Sequence, residues 1–335
     1  MTDSGMTMTD NWGILGHAWA VDMLRQHIAR QTARHAYLFT GPPGVGRRTL
    51  ASRFAQALNC AQPVEPGIPC GTCWDCLHIH SMQHPDVTYI KSGSDGGILK
   101  VGQAREARGG LQLMPYRSKY RVAIFLRFHE ANDEAANALL KTLEEPPASA
   151  ILILTADHPE AVLPTIRSRC EVVRLQPLPF EKVEAFLRQQ GVPDDRARLI
   201  SRVSGGRPGL ALGLLSEPTQ LAYRDEKLNE LQALLPATRA AKFAYAEKLG
   251  KDKIAMRRVL TVWLSLARDV LWRVSGASTP VANIDREPEI EALARRLSPP
   301  QARGLVSGLD AALQRLETNV NPRLLAEVLL LDWPR

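Results

Sequence analysis

The sequence predicts an α/β domain of the phosphate-loop type, a parallel sheet flanked by helices, followed by all-helical domains. Three observations carry that reading. A glycine-rich loop, Thr40-Gly41-Pro42-Pro43-Gly44-Val45-Gly46-Arg47-Arg48-Thr49, follows a short apolar run and opens a helical pattern. Two further apolar runs, 122–126 and 150–155, read as buried strands. From residue 220 onward, apolar positions such as Leu260, Trp263, Leu264 and Ala267 recur at spacings of three and four, a helical bundle pattern.

The chain of 335 residues has room for two or three domains. Its formal net charge of +7, with 23% charged residues, fits contact with nucleic acid or an acidic partner. No apolar run reaches the roughly 18 residues of a membrane span, and no basic-then-apolar signal opens the chain. A cytoplasmic location without membrane contact is therefore expected. Residues 1–10 are polar and read as a flexible tail.

Residues 35–40 form the first expected strand, and 48–59 the helix after the loop, with Leu50, Phe54, Ala57 and Leu58 on its apolar face. In a working loop of pattern G-x-x-x-x-G-K-[ST], the lysine reaches the β/γ-phosphates and the hydroxyl holds Mg²⁺. Gly41, Gly44 and Gly46 retain the turn. Arg47 stands at the lysine position and Arg48 at the hydroxyl position, so Mg²⁺ loses a ligand and a planar fork replaces a compact ammonium. Thr49 offers a hydroxyl only after a one-residue shift of register. The loop is thus a degenerate phosphate cradle, expected to be empty and not to hydrolyse ATP.

Cys60, Cys70, Cys73 and Cys76 follow as C-x9-C-x2-C-x2-C. Two-residue spacings let thiolates converge on one tetrahedral ion, and Zn²⁺ is the expected occupant; a disulfide pair is the alternative, which a reducing cytosol disfavours. Four thiolates close the shell, which makes the metal structural. His78, His80 and His84 lie nearby but are read as surface histidines rather than ligands. After the strand at 122–126, Leu126 and Arg127 occupy the positions where Mg²⁺-binding acids are expected, and the next carboxylate is Glu130. Asn132 is expected to cap a helix with Ala135, Ala136, Leu139, Leu140 and Leu143 on one face, stopped by Pro146-Pro147.

The run NALLKTLEEPP at 137–147, the cysteine cluster, the glycine loop and Ser168-Arg169-Cys170 together resemble the clamp-loader branch of the AAA+ family, as found in bacterial DNA polymerase III. The resemblance covers about residues 11–215. It implies an AAA+ core over 11–177 with a zinc module at 60–76, a helical lid over 178–215 and a helical oligomerisation collar over 216–335. It further implies that Arg169 acts as an arginine finger on the nucleotide of an adjacent subunit. The implied partners are the gamma/tau motor subunits, the delta subunit, the sliding clamp (beta) and primed DNA reached through the complex. Motor subunits keep the lysine, hydroxyl and acids that this chain lacks, so the expected role is a non-hydrolysing stator. Aligning Leu210-Ala211-Leu212 places Gly209 where motors carry a γ-phosphate-sensing arginine, with Arg207 two residues away. Cys170 reads as a small buried residue rather than a nucleophile. Two other readings compete: an active ATPase with unusual ligands, and a zinc-bearing nucleic-acid-binding module.

Overall fold

The computed structural model describes residues 11–93, 97–316 and 320–333; the tail expected at 1–10 lies outside the described residues. The chain divides into two compact units. One runs to Val192 and takes back Gly206–Leu210; the other holds Pro193–Gly205 and Ala211 onward.

In the first unit, helix α1 (Ala18–Ala29) precedes strand β1 (Ala36–Thr40), the glycine loop and α2 (Arg47–Asn59). Then come α3 (Trp74–His80), β2 (Val87–Ile90), α4 (Val101–Leu111), β3 (Arg121–Phe125), α5 (Asp133–Glu144), β4 (Ala150–Ala156), the short α6 (Pro164–Arg167), β5 (Glu171–Arg174) and α7 (Phe180–Gln189). The strands make one sheet in the order β2-β3-β4-β1-β5, and every pairing is parallel. Parallel strands need crossovers, so both faces are covered, and the side-chain period of two divides the apolar runs between them. Tyr37, Phe39, Ile124 and Ile153 pack with Leu24, Leu50 and Phe54 on one face; Leu38, Phe125, Leu152 and Leu154 pack with Ala104, Leu139 and Leu143 on the other. Phe54 stands edge-on to Tyr37, with centroids 4.8 Å apart.

The α5 reading holds in detail. Asn132 Oδ1 accepts the Ala135 N–H at 2.9 Å, Asp133 and Glu134 sit in the first turn, and the helix ends at Glu144 ahead of the prolines. Sequence patterns gave no warning of α1, α3, β2 or α4. His17, before α1, is left-handed with φ of 55° and makes no side-chain cap. Helix α4 carries Gly102, Gly109 and Gly110, each costing about 1 kcal/mol of helix propensity. Strand β2 has only four residues, of which Val87 and Ile90 are buried.

The second unit is helical: α8 (Asp194–Val203), then, after the start of α9 (Pro208–Ser216), α10 (Pro218–Leu234), α11 (Arg239–Leu249), α12 (Lys253–Val274), α13 (Glu287–Arg296), α14 (Pro299–Arg315) and α15 (Pro322–Leu331). Its core gathers Leu228, Leu231, Met256, Leu260, Trp263, Leu309 and Leu329. Asp252 caps α12 by accepting from Ile254 N and Ala255 N.

Candidate functional site

The carboxyl ends of the parallel strands converge on one cleft, the position where open α/β sheets bind ligands. It has a volume of about 380 Å³ and is lined by Gly44, Gly46, Arg47, Arg48 and Thr49 after β1, Lys91 after β2, Leu126 and Arg127 after β3, Thr155 of β4, and Gly209. The sequence-expected loop residues therefore come together with the two residues that replace the acids of β3. Gly41 lies just outside the lining set. With φ values of 145°, 83° and 116°, Gly41, Gly44 and Gly46 keep the turn that other residues resist, and a Cβ on Gly41 would lie 2.4 Å from the Leu175 carbonyl oxygen.

Arg47 does not project freely into the cleft. It is 8% exposed, and its Nη1 lies 2.7 Å from Asp157 Oδ1, though without hydrogen-bond alignment. The Asp157 backbone carbonyl accepts the Gly41 N–H at 3.1 Å, which fixes this residue beside the loop. His129 Nε2 lies 3.8 Å from the same carboxylate oxygen, and burial lowers the His129 pKa while Asp157 works against that shift. Arg127, left-handed at φ 56°, donates its N–H to Thr155 Oγ1 at 2.9 Å and turns its guanidinium to Glu130, 3.2 Å away. Among the described residues, no carboxylate lines the cleft. Gly209 N donates to Gly44 O at 2.8 Å, and a Cβ on Gly209 would approach that oxygen to 3.0 Å. A side chain at 209 would press on the loop itself; Arg207 is not among the lining residues.

Arg169 lies elsewhere, on the turn after α6. Its Nη1 donates to Thr165 O and its Nη2 to Glu144 Oε1, both at 2.8 Å, and its side chain is 37% exposed. Cys170 beside it is partly buried, and burial pushes its thiol up to about 12, which suits packing rather than nucleophilic work.

The four cysteines do assemble. Their sulfurs all lie within 4.8 Å of one another, with Cys60 to Cys70 at 3.5 Å and Cys60 to Cys73 at 3.8 Å. A disulfide needs about 2.05 Å. Four ligands at the zinc–sulfur distance of about 2.3 Å would stand about 3.8 Å apart, so the set fits a tetrahedral ion. Backbone N–H groups of Cys70, Cys73 and Cys76 point at Cys60, Cys70 and Cys73 sulfurs respectively. Although burial opposes it, N–H groups of Thr72 and Cys73 bring the Cys70 thiol down to about 6, whereas burial pushes the Cys60 and Cys76 thiols up.

One expectation fails here: His84 is buried, not a surface residue. Its Nδ1 accepts the Asp86 N–H at 3.0 Å, so Nε2 carries the proton and faces Asp75 Oδ1 at 3.2 Å. Asp75 also accepts from Arg117 Nε at 2.9 Å, and Asp86 accepts the N–H groups of Tyr116, Arg117 and Ser118. The histidine is a buried polar link between the cysteine module and the loop before β3. Asp157, Lys91 and Thr155 were also missed; a polar residue ending a central parallel strand was the available signal for Asp157.

Comparison with known proteins then places these features. Residues 16–179 match the family described as DNA polymerase III, delta subunit, and residues 218–335 the one described as DNA polymerase III, delta subunit, C terminal. DNA polymerase III subunit gamma/tau of Mycobacterium bovis is 39% identical over 191 residues, 55% of this chain and 32% of its own length. DNA polymerase III subunit delta' of Pseudomonas aeruginosa is 29% identical over 76% of this chain and 74% of its own. The delta' subunit of Bacillus subtilis is 28% identical over 92% and 93%. The chain thus spans about a third of the gamma/tau relative and most of the delta' relatives.

Proposed function

Since the chain belongs to the DNA polymerase III delta-subunit family, we propose that it serves as the non-hydrolysing stator of a clamp loader. In that role it helps to place the sliding clamp (beta) on primed DNA in the cytoplasm, beside gamma/tau motor subunits and the delta subunit. The observation that carries the reading is the lining of its cleft. Hydrolysis needs a cation reaching the β/γ-phosphates, a metal held by a hydroxyl and a carboxylate, and an oriented water. This cleft offers instead an arginine paired with Asp157, an arginine at the hydroxyl position, and Leu126 and Arg127 where acids would stand.

Arg169 supports the second half of the proposal. A guanidinium stays charged at every working pH and can meet a γ-phosphate with two donors. Its present partner Glu144 is 52% exposed, and an exposed pair of that kind holds by only about 0.2–1 kcal/mol. Exchanging that carboxylate for a neighbour's phosphate is therefore inexpensive. Arginine fingers contribute about 10³–10⁵ in rate at the site they serve. The cysteine set is assigned Zn²⁺, held by Cys60, Cys70, Cys73 and Cys76, with a closed shell and a structural role. The lid over 178–215 and the collar over 216–335 complete the proposed domain plan.

The test is reconstitution with motor subunits and DNA. The isolated chain should not turn over Mg·ATP, and Arg169→Ala should assemble normally while lowering the complex's DNA-stimulated hydrolysis. Turnover by the isolated chain that disappears in Arg47→Ala would replace the stator with an active ATPase.

A further inference from the structure

We propose that Asp157 is the chain's own counter-anion for the phosphate loop: its carboxylate fills, against Arg47, the charge position a ligand phosphate would take, and so excludes polyphosphate from the cleft. This rests on the stator reading and supplies its atomic means.

The loop's cation stands where a lysine would reach for phosphate, yet it is already met at 2.7 Å by a carboxylate, with the arginine side chain 9% exposed and the aspartate 32%. The Asp157 backbone is held beside the loop, because its carbonyl is bonded to Gly41 N, at the first glycine of the same loop. Among the described residues, four cations line the cleft, Arg47, Arg48, Lys91 and Arg127. Two are neutralised within the chain, Arg47 by Asp157 and Arg127 by Glu130. The other two, Arg48 and Lys91, are exposed, where solvent and salt screen attraction. A triphosphate entering the cleft would have to displace the Asp157 carboxylate from a nearly buried guanidinium and then remain beside it, like charge against like. A second tie acts in the same sense. Gly44 O is bonded to Gly209 N at 2.8 Å, and Val45 O lies 3.2 Å from His17 Nε2. The loop is thus held at three points by protein groups, with no ligand needed to order it.

The experiment is anion rescue of the full chain, with inorganic tripolyphosphate as the probe in phosphate-free buffer, read by thermal unfolding. Asp157→Asn strands the Arg47 charge and should lower Tm by about 3–8 °C, taking about 2–4 °C per kcal/mol for a domain of this size. Tripolyphosphate should restore at least half of that loss in Asp157→Asn, while moving neither the wild-type chain nor the double variant Arg47→Gln/Asp157→Asn. Equal stabilisation of wild type and Asp157→Asn, or no rescue of Asp157→Asn, overturns the proposal. Should the variant not fold, hydrogen exchange on the wild-type chain decides. Amides of the 41–50 segment should be protected without nucleotide and unchanged by millimolar Mg·ATP; added protection overturns the inference. These readings use the isolated chain and no hydrolysis, so they can fail while the Arg169 test on the complex succeeds, and the reverse.

Discussion

At the scale of single residues, the cleft and the proposed finger are governed by who neutralises each arginine. Arg47 faces a carboxylate across a largely dry contact, whereas Arg169 faces Glu144 in solvent. The two should respond differently to loss of their partners. Glu144→Gln should leave the unfolding free energy from urea denaturation within about 1 kcal/mol of wild type and preserve hydrolysis by the reconstituted complex. A collapse of either would make the Arg169–Glu144 pair a structural element of this chain. Cys170 offers a second check. With its thiol held near 12 by burial, it should resist iodoacetamide at pH 8 in the folded chain and react once urea unfolds it, as peptide mass spectrometry would show.

At the scale of elements, the cysteine module and the loop before β3 form one cooperative piece. Asp75 on α3 and Asp86 before β2 both reach the 116–118 backbone or Arg117, with His84 between them. Chelation, or Cys70→Ser, should therefore speed amide exchange at Tyr116, Arg117 and Ser118 as well as at 60–80; acceleration confined to 60–80 would dissolve that coupling. Asn132→Ala should cost about 1 kcal/mol by removing the α5 cap. How legible each element was follows from its chemistry. Helix α5 announced itself through cap, apolar stripe and terminal prolines, and β1, β3 and β4 through continuous apolar runs that only a two-sided burial explains. Helix α4 hid behind its three glycines, because packing of Ala104, Ala107 and Leu111 overrides their propensity. The cysteine set was readable because spacing alone brings it together. The Arg47–Asp157 pair was not, since 110 residues separate partners that only the β1–β4 pairing makes neighbours.

For the molecule as a whole, the α/β unit carries the cleft and the second unit is helical. That unit is pinned by a polar network. Arg224, 6% exposed, donates to both oxygens of Asp285 at 2.7 and 2.8 Å and to Asn283 Oδ1 at 2.7 Å. Asp269 in turn holds the Ala282 and Asn283 N–H groups. Arg224→Met leaves the buried Asn283 Oδ1 without its donor and should lower unfolding stability by about 1–3 kcal/mol, read from urea denaturation; a loss under 0.5 kcal/mol would show the network to be incidental. The central claim, that this chain leaves ATP chemistry to a neighbour and contributes the charge of Arg169, is tested most directly by DNA-stimulated ATP hydrolysis of the reconstituted complex. With Arg169→Ala in place of the native chain, assembly should persist and the rate should fall; an unchanged rate in a fully assembled complex would contradict it.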